Sequence, residues 1–510
     1  IGADIELYEL SVSREFDFDG RLLKLSVGRQ TLHWGESTFI ALNTLAELNP
    51  PSVNRLYRPG AEINEIFAPV AIALVSLDLF ENATAEAFYP LEWRPVEPAA
   101  AGSFFSDIEA IGGRDYLMIS IGQMPEDPDA TNSIAQAPSL ITSTTFRASI
   151  LDQDYGEPDS GGEFGLRLNY FAEGFNDGTE FALYAMNYHS RLPSLSAIAS
   201  DASCARDSAN AAAAAIDCLG FNGTLNPTGL GLDPSPVDTL QLFQEYPRNI
   251  KLFGLSFTTT VFGWSMAGEY AYRPNLPVQI SGTDLVFAGL QPALPRQDIN
   301  LGVAILPSAR RFIPDFISVY RDQDIQAGQR VKGYERLQVG QADLTFLRLI
   351  PASQNPLRAD QTLLILEVGA TQVYDMPDRQ DLQFESGIWH KDSHAGPAAD
   401  EGDAIRLNPT RQKRHFAESF AWGYRLFAEL EYNDVLPGVK VTPKLGFHHD
   451  VSGIAVYPMQ NFVEGRRQYM VSCDLTWRAW MAQLGFQAFA GSNHTLRDRD
   501  YASFALAYTF

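Results

Sequence analysis

The chain has 510 residues, of which 45% are hydrophobic, 12% aromatic and 20% charged, a composition that excludes a disordered acidic tail and a disulfide-stapled miniprotein. Its 38 basic and 62 acidic side chains leave a net charge of −24, so it lacks the basic footprint that a nucleic-acid backbone demands. No run of about 18 consecutive apolar residues occurs, which excludes helical membrane spans and leaves a membrane β-barrel open.

Residue 1 opens mid-pattern, without Met, a basic n-region or an apolar h-region, so the expectation is a processed or truncated chain. Ile5 to Phe18 reads as a first strand. Segment 36–70 combines Pro50, Pro51, Pro59, Gly60 and Pro69 with Glu36, Glu47, Arg55, Arg58, Glu62 and Glu65; such prolines set turns and such charges invite pairing. One reading is a folded hatch inside a lumen, with Glu36, Arg55, Arg58 and Glu62 pairing to each other or to the charges of a wall. The other is an external loop with solvated charges. Tyr116 to Gly122 reads as a piece of a loop that does not span. Asp152, Asp154, Glu157 and Asp159 crowd carboxylates around Gly156 at a spacing like the start of a calcium loop. That pattern is incomplete, and an acidic external loop, solvated or bridged to lipopolysaccharide by divalent ions, fits it too. Cys204 and Cys218 flank an Ala-rich stretch, with Ser208 as N-cap and then Ala211 to Ala215, that could close as a disulfide-stapled loop in an oxidising compartment. Two unpaired thiols are the alternative, and Cys473, inside a strand pattern, reads as a small apolar filler. His390 with His394, and His448 with His449 and Asp450, have no thiolate partner and read as surface histidines rather than as a transition-metal set.

Hairpins follow from strict alternation. Phe164 to Phe171 pairs with Phe181 to Tyr188 across Phe175-Asn176-Asp177-Gly178, and Phe253 to Val261 with Trp264 to Tyr272 across Phe262-Gly263. Trp422 to Tyr432 turns at Asn433 to Gly438 into Val439 to Phe447, and Tyr469 to Trp477 pairs with Trp480 to Ala490. The chain ends with Phe504, Leu506, Tyr508 and Phe510 alternating with small or polar residues.

One face of these strands is apolar, with Trp264, Tyr272, Tyr432, Trp477, Trp480 and Tyr508 near strand ends, as in aromatic girdles at a lipid interface. The other carries Arg167, Glu269, Asp343, Glu367, Arg425, Glu429, Lys440, Lys444 and Asp474, ionisable groups that need water or one another; they are expected to line a wet lumen. Connections alternate between about four to ten residues and roughly 25 to 70, the asymmetry of short periplasmic turns and long external loops. The expectation is an all-β, closed antiparallel transmembrane barrel in one domain over 1–510. About fifteen strands are countable, so an even barrel of about 16 to 18 needs one or more strands before residue 1.

The stretch Gly28-Arg29-Gln30, Trp34-Gly35-Glu36-Ser37, Asn49-Pro50, Arg58-Pro59-Gly60 with Glu62, Pro69, and Tyr89 with Glu92-Trp93 resembles a Gram-negative outer-membrane barrel family catalogued as a domain of unknown function. The likeness is dense over residues 20–106 and looser elsewhere, resting there on hairpin rhythm and the terminal Phe510. His33 departs from it, standing where Asn is usual. The resemblance implies transport of hydrophobic or amphipathic cargo alongside an RND-type inner-membrane exporter and a periplasmic lipoprotein-sorting-like carrier. It brings no catalytic residues; Trp34, Pro59 and Gly60 are counted with Glu36, Arg55, Arg58 and Glu62 as hatch residues. Tyr508 and Phe510 are read as an insertion signal for the barrel-assembly machinery, with outer-membrane lipid and lipopolysaccharide as surroundings. No Gly-x-Ser-x-Gly occurs, and Ser256 lies within a strand, so no enzyme and no cofactor beyond calcium in the acidic loop are expected. A general diffusion porin and a structural or receptor barrel are the rival functions.

Overall fold

The computed structural model describes residues 9–40, 48–56, 66–99, 102–106, 115–120, 145–219, 236–300, 302, 305–306, 308, 320, 323–379, 381–386, 416–457, 461–491 and 496–508. In chain order its strands are β1 (Leu10–Phe18), β2 (Arg21–Gln30), β3 (Val70–Phe80), β4 (Ala83–Pro90), β5 (Tyr116–Ser120), β6 (Thr145–Ile150), β7 (Phe164–Ala172), β8 (Thr179–Tyr188), β9 (Ser194–Ile198), β10 (Gln241–Glu245), β11 (Ile250–Val261) and β12 (Trp264–Gln279). There follow β13 (Ile299–Asn300), β14 (Ile305–Leu306), β15 (Arg330–Val331), β16 (Tyr334–Pro351), β17 (Gln361–Val373), β18 (Phe420–Leu436), β19 (Val439–Ser452), β20 (Arg467–Trp477), β21 (Trp480–Ala490) and β22 (Tyr501–Tyr508). The helices are α1 (Val53–Leu56), α2 (Ala211–Leu219) and α3 (Gly282–Leu290).

Fifteen strands form one antiparallel sheet in the order β1-β2-β3-β4-β7-β8-β11-β12-β16-β17-β18-β19-β20-β21-β22. Each strand pairs with its predecessor and successor along the wall, because each short turn is a hairpin. Phe262 and Gly263 both take positive φ (52° and 75°) in a two-residue turn, the geometry that matches the right-handed twist of the flanking strands. The turn after β18 is tighter than the expected Asn433 to Gly438. The strand runs on to Leu436 through a register shift, and Pro437-Gly438 alone reverse the chain, with the Gly438 N–H donating to Asp434 Oδ1 (3.1 Å).

The expected closure is not present. An antiparallel meander of fifteen strands leaves its first and last strands parallel to each other, so β1 and β22 cannot complete the antiparallel ladder, and among the described residues they remain two free edges.

The alternation expected from sequence separates two environments. Val12 (75% exposed), Leu168, Leu183, Leu255, Val471 and Leu484 stand on the outward face, a continuous apolar surface that suits hydrocarbon rather than water. Trp477, Trp480 and Tyr508 mark its end at the short turns, where Arg478 lies over the Trp477 ring (4.9 Å) and Arg348 over the Trp264 ring (5.3 Å). Tyr270, Tyr272 and Tyr374 mark the other end, linked by the Tyr270–Tyr374 hydroxyl contact (2.7 Å).

All the long connections leave the same end. Three of them contribute a second sheet, β15-β9-β10-β6-β5; Tyr116–Ser120 belongs to it and not to the wall, in line with its reading as a loop. The sheet and α3 pack Leu240, Leu242, Ile280, Leu285 and Val331 against Ile250, Leu252, Val278, Val339 and Val373 of the wall strands, so this end carries a folded cap. Arg191 and Glu163 pair at 3.1 Å where both are buried. Cys204 and Cys218 are joined in a disulfide (Cα–Cα 5.0 Å) around α2. The helix cap differs from the expected Ser208: Asn210 Oδ1 accepts the Ala213 N–H (3.0 Å), while Ser208 Oγ donates to Asp217 Oδ2 (2.6 Å). Ser208 lies too far upstream of the first helical residue, Ala211, to reach its free amides.

Candidate functional site

After β2 the chain turns inward. Asn49 pins both legs of this excursion, its Oδ1 accepting the Leu32 N–H (2.8 Å) and its Nδ2 donating to Ala68 O (3.0 Å). Trp34 is buried between Phe88 of β4 (ring centroids 4.8 Å) and Tyr184 of β8 (5.8 Å), and its indole N–H donates to Glu86 Oε2 (3.0 Å). Gly165 of β7 makes room for it, since a Cβ there would collide with the Phe88 ring and come within 2.9 Å of Trp34. Gly35, at φ 96°, then redirects the backbone.

The next residues are held by main-chain donors on wall carboxylates. The Glu36 N–H donates to Glu269 Oε2 on β12 (2.5 Å). Thr38 and Phe39 N–H donate to the two oxygens of Glu367 on β17 (2.7 and 2.6 Å). Hydrogen bonds to an ionised acceptor are the strong kind, and they leave this extended segment's donors satisfied without a strand partner. Phe39 then faces Phe427 (5.8 Å) and His448 (6.1 Å), and Ile40 is buried with Ala421, Ala455 and Phe462. Seven residues thus touch β4, β8, β12, β17, β18 and β19 from the inside. Burial holds the Glu36 carboxyl above the usual range, with the nearby Thr258 hydroxyl and the charge of Arg167 acting against it and Glu180 reinforcing it.

The nine residues expected to line the lumen share the inward face. Asp343 is the register partner of Glu269, and Glu367 that of Thr345 on one side and Arg425 on the other. Arg425 is committed elsewhere: it bonds Asp450 at 2.7 Å, and Arg466 holds the second oxygen of that carboxylate at 2.6 Å. Beside Trp34 and Glu36, Arg167 sits between Glu86 (3.5 Å) and Glu180 (3.2 Å), and toward the short turns the pairs are Lys444 between Asp474 (2.8 Å) and Glu429 (3.6 Å), and Lys440 with Glu431 (2.9 Å). They form a mixed-charge belt.

Of the expected hatch residues, Trp34 and Glu36 meet the wall as described, and Arg55 sits in the single turn α1, its N–H donating to Ser52 Oγ (3.3 Å). Arg58, Pro59, Gly60 and Glu62 lie outside the described residues, as do Phe510, His390 and His394. Tyr508 stacks on Trp480 (4.8 Å) at the sheet edge. The acidic run is strung along a 3-10 turn, with Asp159 paired to Arg248 (3.2 Å). Among the described residues no group of three or more His, Cys, Asp or Glu side chains is placed to hold a metal ion. Glu86 and Arg466 were not singled out from sequence, and neither were the pinning role of Asn49 and the pairing of Arg425 with Asp450; a polar residue in the lumen parity of a strand was the available signal for Glu86.

An antiparallel wall with an apolar outside, an ionisable inside, short turns at one end and long loops at the other defines a transmembrane β-barrel of the outer membrane, here with a segment of its own chain laid across the lumen. The chain belongs to the family described as "Protein of unknown function (DUF1302)", whose model matches residues 1–510. No curated protein matches it. Among solved structures it is similar to a mutant of Rh. blastica porin (8% identity, TM-score 0.28, covering 98% of this chain and 89% of that one). It is similar also to Pseudomonas aeruginosa OccK8 (8%, 0.29, 96% and 78%) and to a Pseudomonas aeruginosa FadL homologue (10%, 0.25, 84% and 71%).

Proposed function

We propose that this barrel is a hatch-gated outer-membrane conduit for hydrophobic or amphipathic molecules, without catalytic activity. The observation that carries the reading is the latch: residues 34–40 reach across the lumen and hang from Glu269 and Glu367 by three short main-chain hydrogen bonds. A surface loop has no need of buried wall carboxylates, whereas a segment that must sit in one place and leave it does. The barrel has no energy source of its own. Transport is therefore passive or driven from the inner membrane, by an RND-type exporter with a periplasmic lipoprotein-sorting-like carrier, the partners and cargo class that the family resemblance implies. The lumen contributes shape and the mixed-charge belt.

The test is a planar-bilayer recording of the full chain. Native protein should conduct poorly, and the Glu269→Gln/Glu367→Gln pair, which weakens all three latch bonds, should conduct several-fold better. Equal conductance in a variant that still folds and inserts overturns the hatch, and steady high conductance in the native barrel points to a diffusion porin. Partners are tested separately, by affinity capture from gently solubilised envelopes with mass spectrometry of proteins and small molecules. Recovery of the bare barrel alone counts against the trans-envelope system.

A further inference from the structure

Glu269, Asp343 and Glu367 come from three adjacent strands, and each is buried: 4%, 5% and 0% exposed. Among the described residues no Lys or Arg lies within ion-pair distance of any of them, since Arg425, the nearest cation in register, is held by Asp450. Glu269 and Glu367 have the latch instead, and Asp343 Oδ1 accepts from the Thr345 hydroxyl (3.3 Å). Even so, Glu269 Oε1 and Asp343 Oδ2 have no hydrogen-bond donor, and the buried Ser37 Oγ has no hydrogen-bond partner. Anions side by side in a dry site, short of donors and without a counter-ion, repel one another, and such a site keeps a proton that bulk water would take away.

The surroundings add little positive charge. The segment itself brings the Glu36 carboxyl. Glu86 on β4 and Glu180 on β8 flank Arg167 on β7 and share its charge. β11 contributes only the hydroxyls of Ser256 and Thr258 at this level. On the far side stand Arg425 on β18 and His448 and Asp450 on β19, with Arg466 completing that ion-pair set. The closed arrangement therefore gathers acids around one segment, and withdrawal of the segment lets water reach every one of them.

Building on the hatch reading above, we infer that the hatch is closed by protons: the seated segment retains at least one proton on Asp343 or Glu36, the carboxyls that accept no latch bond, and that proton is released to bulk water when the segment leaves. The sign follows from linkage. The closed state binds more protons than the open one, so raising the pH opens the hatch and lowering it closes it.

The experiment reads the segment directly. Ser37→Cys is made in a Cys473→Ser background, and its labelling by a membrane-impermeant maleimide is followed from about pH 5 to about pH 9 in vesicles, normalised to an exposed Ser103→Cys control so that thiol ionisation cancels. A one-proton linkage changes the opening equilibrium by at most about tenfold per pH unit. The normalised rate should therefore climb more than tenfold over the range, and Asp343→Asn, a permanently neutral neighbour able to donate to both glutamates, should hold it low and flat. A protected thiol at position 37 whose normalised rate ignores pH overturns the proton inference and leaves the hatch standing. A thiol there as reactive as the one at position 103 at every pH overturns the hatch itself. Should Ser37→Cys fail to insert, the conductance of native protein against the Asp343→Asn variant over the same range decides, a rise with pH lost in the variant being expected and identical profiles being fatal.

Discussion

Trp34 shows what one residue contributes to the segment. Its ring is buried against Phe88 and Tyr184, and its N–H satisfies a wall carboxylate, so truncation removes both packing and a donor. Loss of a buried aromatic costs about 3 kcal/mol or more. Because the segment is held to the wall and not woven into it, that cost falls on local opening and not on the barrel. Trp34→Ala should accelerate amide exchange at Glu36, Thr38 and Phe39 by about 100-fold while the wall strands exchange as before; unchanged exchange would show that the indole is no anchor. Glu92 makes a second residue-level case. Burial works against its charge, but Arg29 bonds both of its oxygens (2.9 and 3.3 Å) and the Ala71 N–H adds a third bond (3.2 Å), so its carboxyl titrates below the usual carboxylate range. A depressed acid stabilises the fold above its unfolded value and loses that contribution as the pH falls through the folded one. Glu92→Gln should therefore lower the melting temperature at neutral pH, and native and variant curves should converge as the pH falls below the usual carboxylate range. A constant difference into that acid range would mean that packing, not charge, is what the substitution removed.

The elements were legible to very different degrees. Wall strands announce themselves because the two sides of the sheet meet different solvents, and a period of two carries that difference into the sequence; Phe164 to Tyr188 and Tyr469 to Ala490 fold with the registers their alternation implies. The cap carries no such signal. β9 and β10 are buried along most of their length and β15, Arg330–Val331, is only two residues long, while the β10–β6 and β15–β9 pairings join separate connections, so little local marks them. The segment at 34–40 was visible as a candidate through its neighbouring prolines and charges, but its attachment was not. The expected pairing was between side chains, whereas the donors used are peptide N–H groups, which every residue has. Within the cap, α2 is the element with the least support of its own: nine residues cannot sustain a helix in isolation, and it leans on Ala205, Ile299 and the Cys204–Cys218 link. Closing a loop of this length is worth about 3 kcal/mol in chain-entropy terms. Cys204→Ala/Cys218→Ala should expose residues 205–217 to protease while the heat-modifiable mobility of the barrel on a gel stays native. Loss of the folded barrel band would instead make the disulfide a condition for assembly.

At the scale of the whole molecule, the hatch reading puts two obstacles in series between the bulk phases. The cap packs an apolar core against the wall at the end of the long loops, and the segment lies on the inward face beneath it, while the short turns leave the other end without any cover among the described residues. The belt around Lys444 lies below both obstacles, so it should be wet from the periplasmic side alone. Ser472 is the register partner of Lys444 and shares its inward parity, which makes Ser472→Cys, in the Cys473→Ser background, a reporter of that compartment. A maleimide carrying a polymer of about 5 kDa is too large for ordinary diffusion pores. In intact cells it should leave the thiol at position 472 unmodified, and after the outer membrane is permeabilised it should label that thiol readily. Series barriers make a further demand, since releasing one of them exposes only what lies above the next. With Glu269→Gln/Glu367→Gln added, small thiol reagents should reach position 472 from outside faster if the cap is loose, and no faster if the cap is the tighter seal. Rapid labelling of the Ser472→Cys variant by the large reagent in intact cells, with cap and latch otherwise native, would mean an open mouth and would remove the cap and the hatch together from any account of gating.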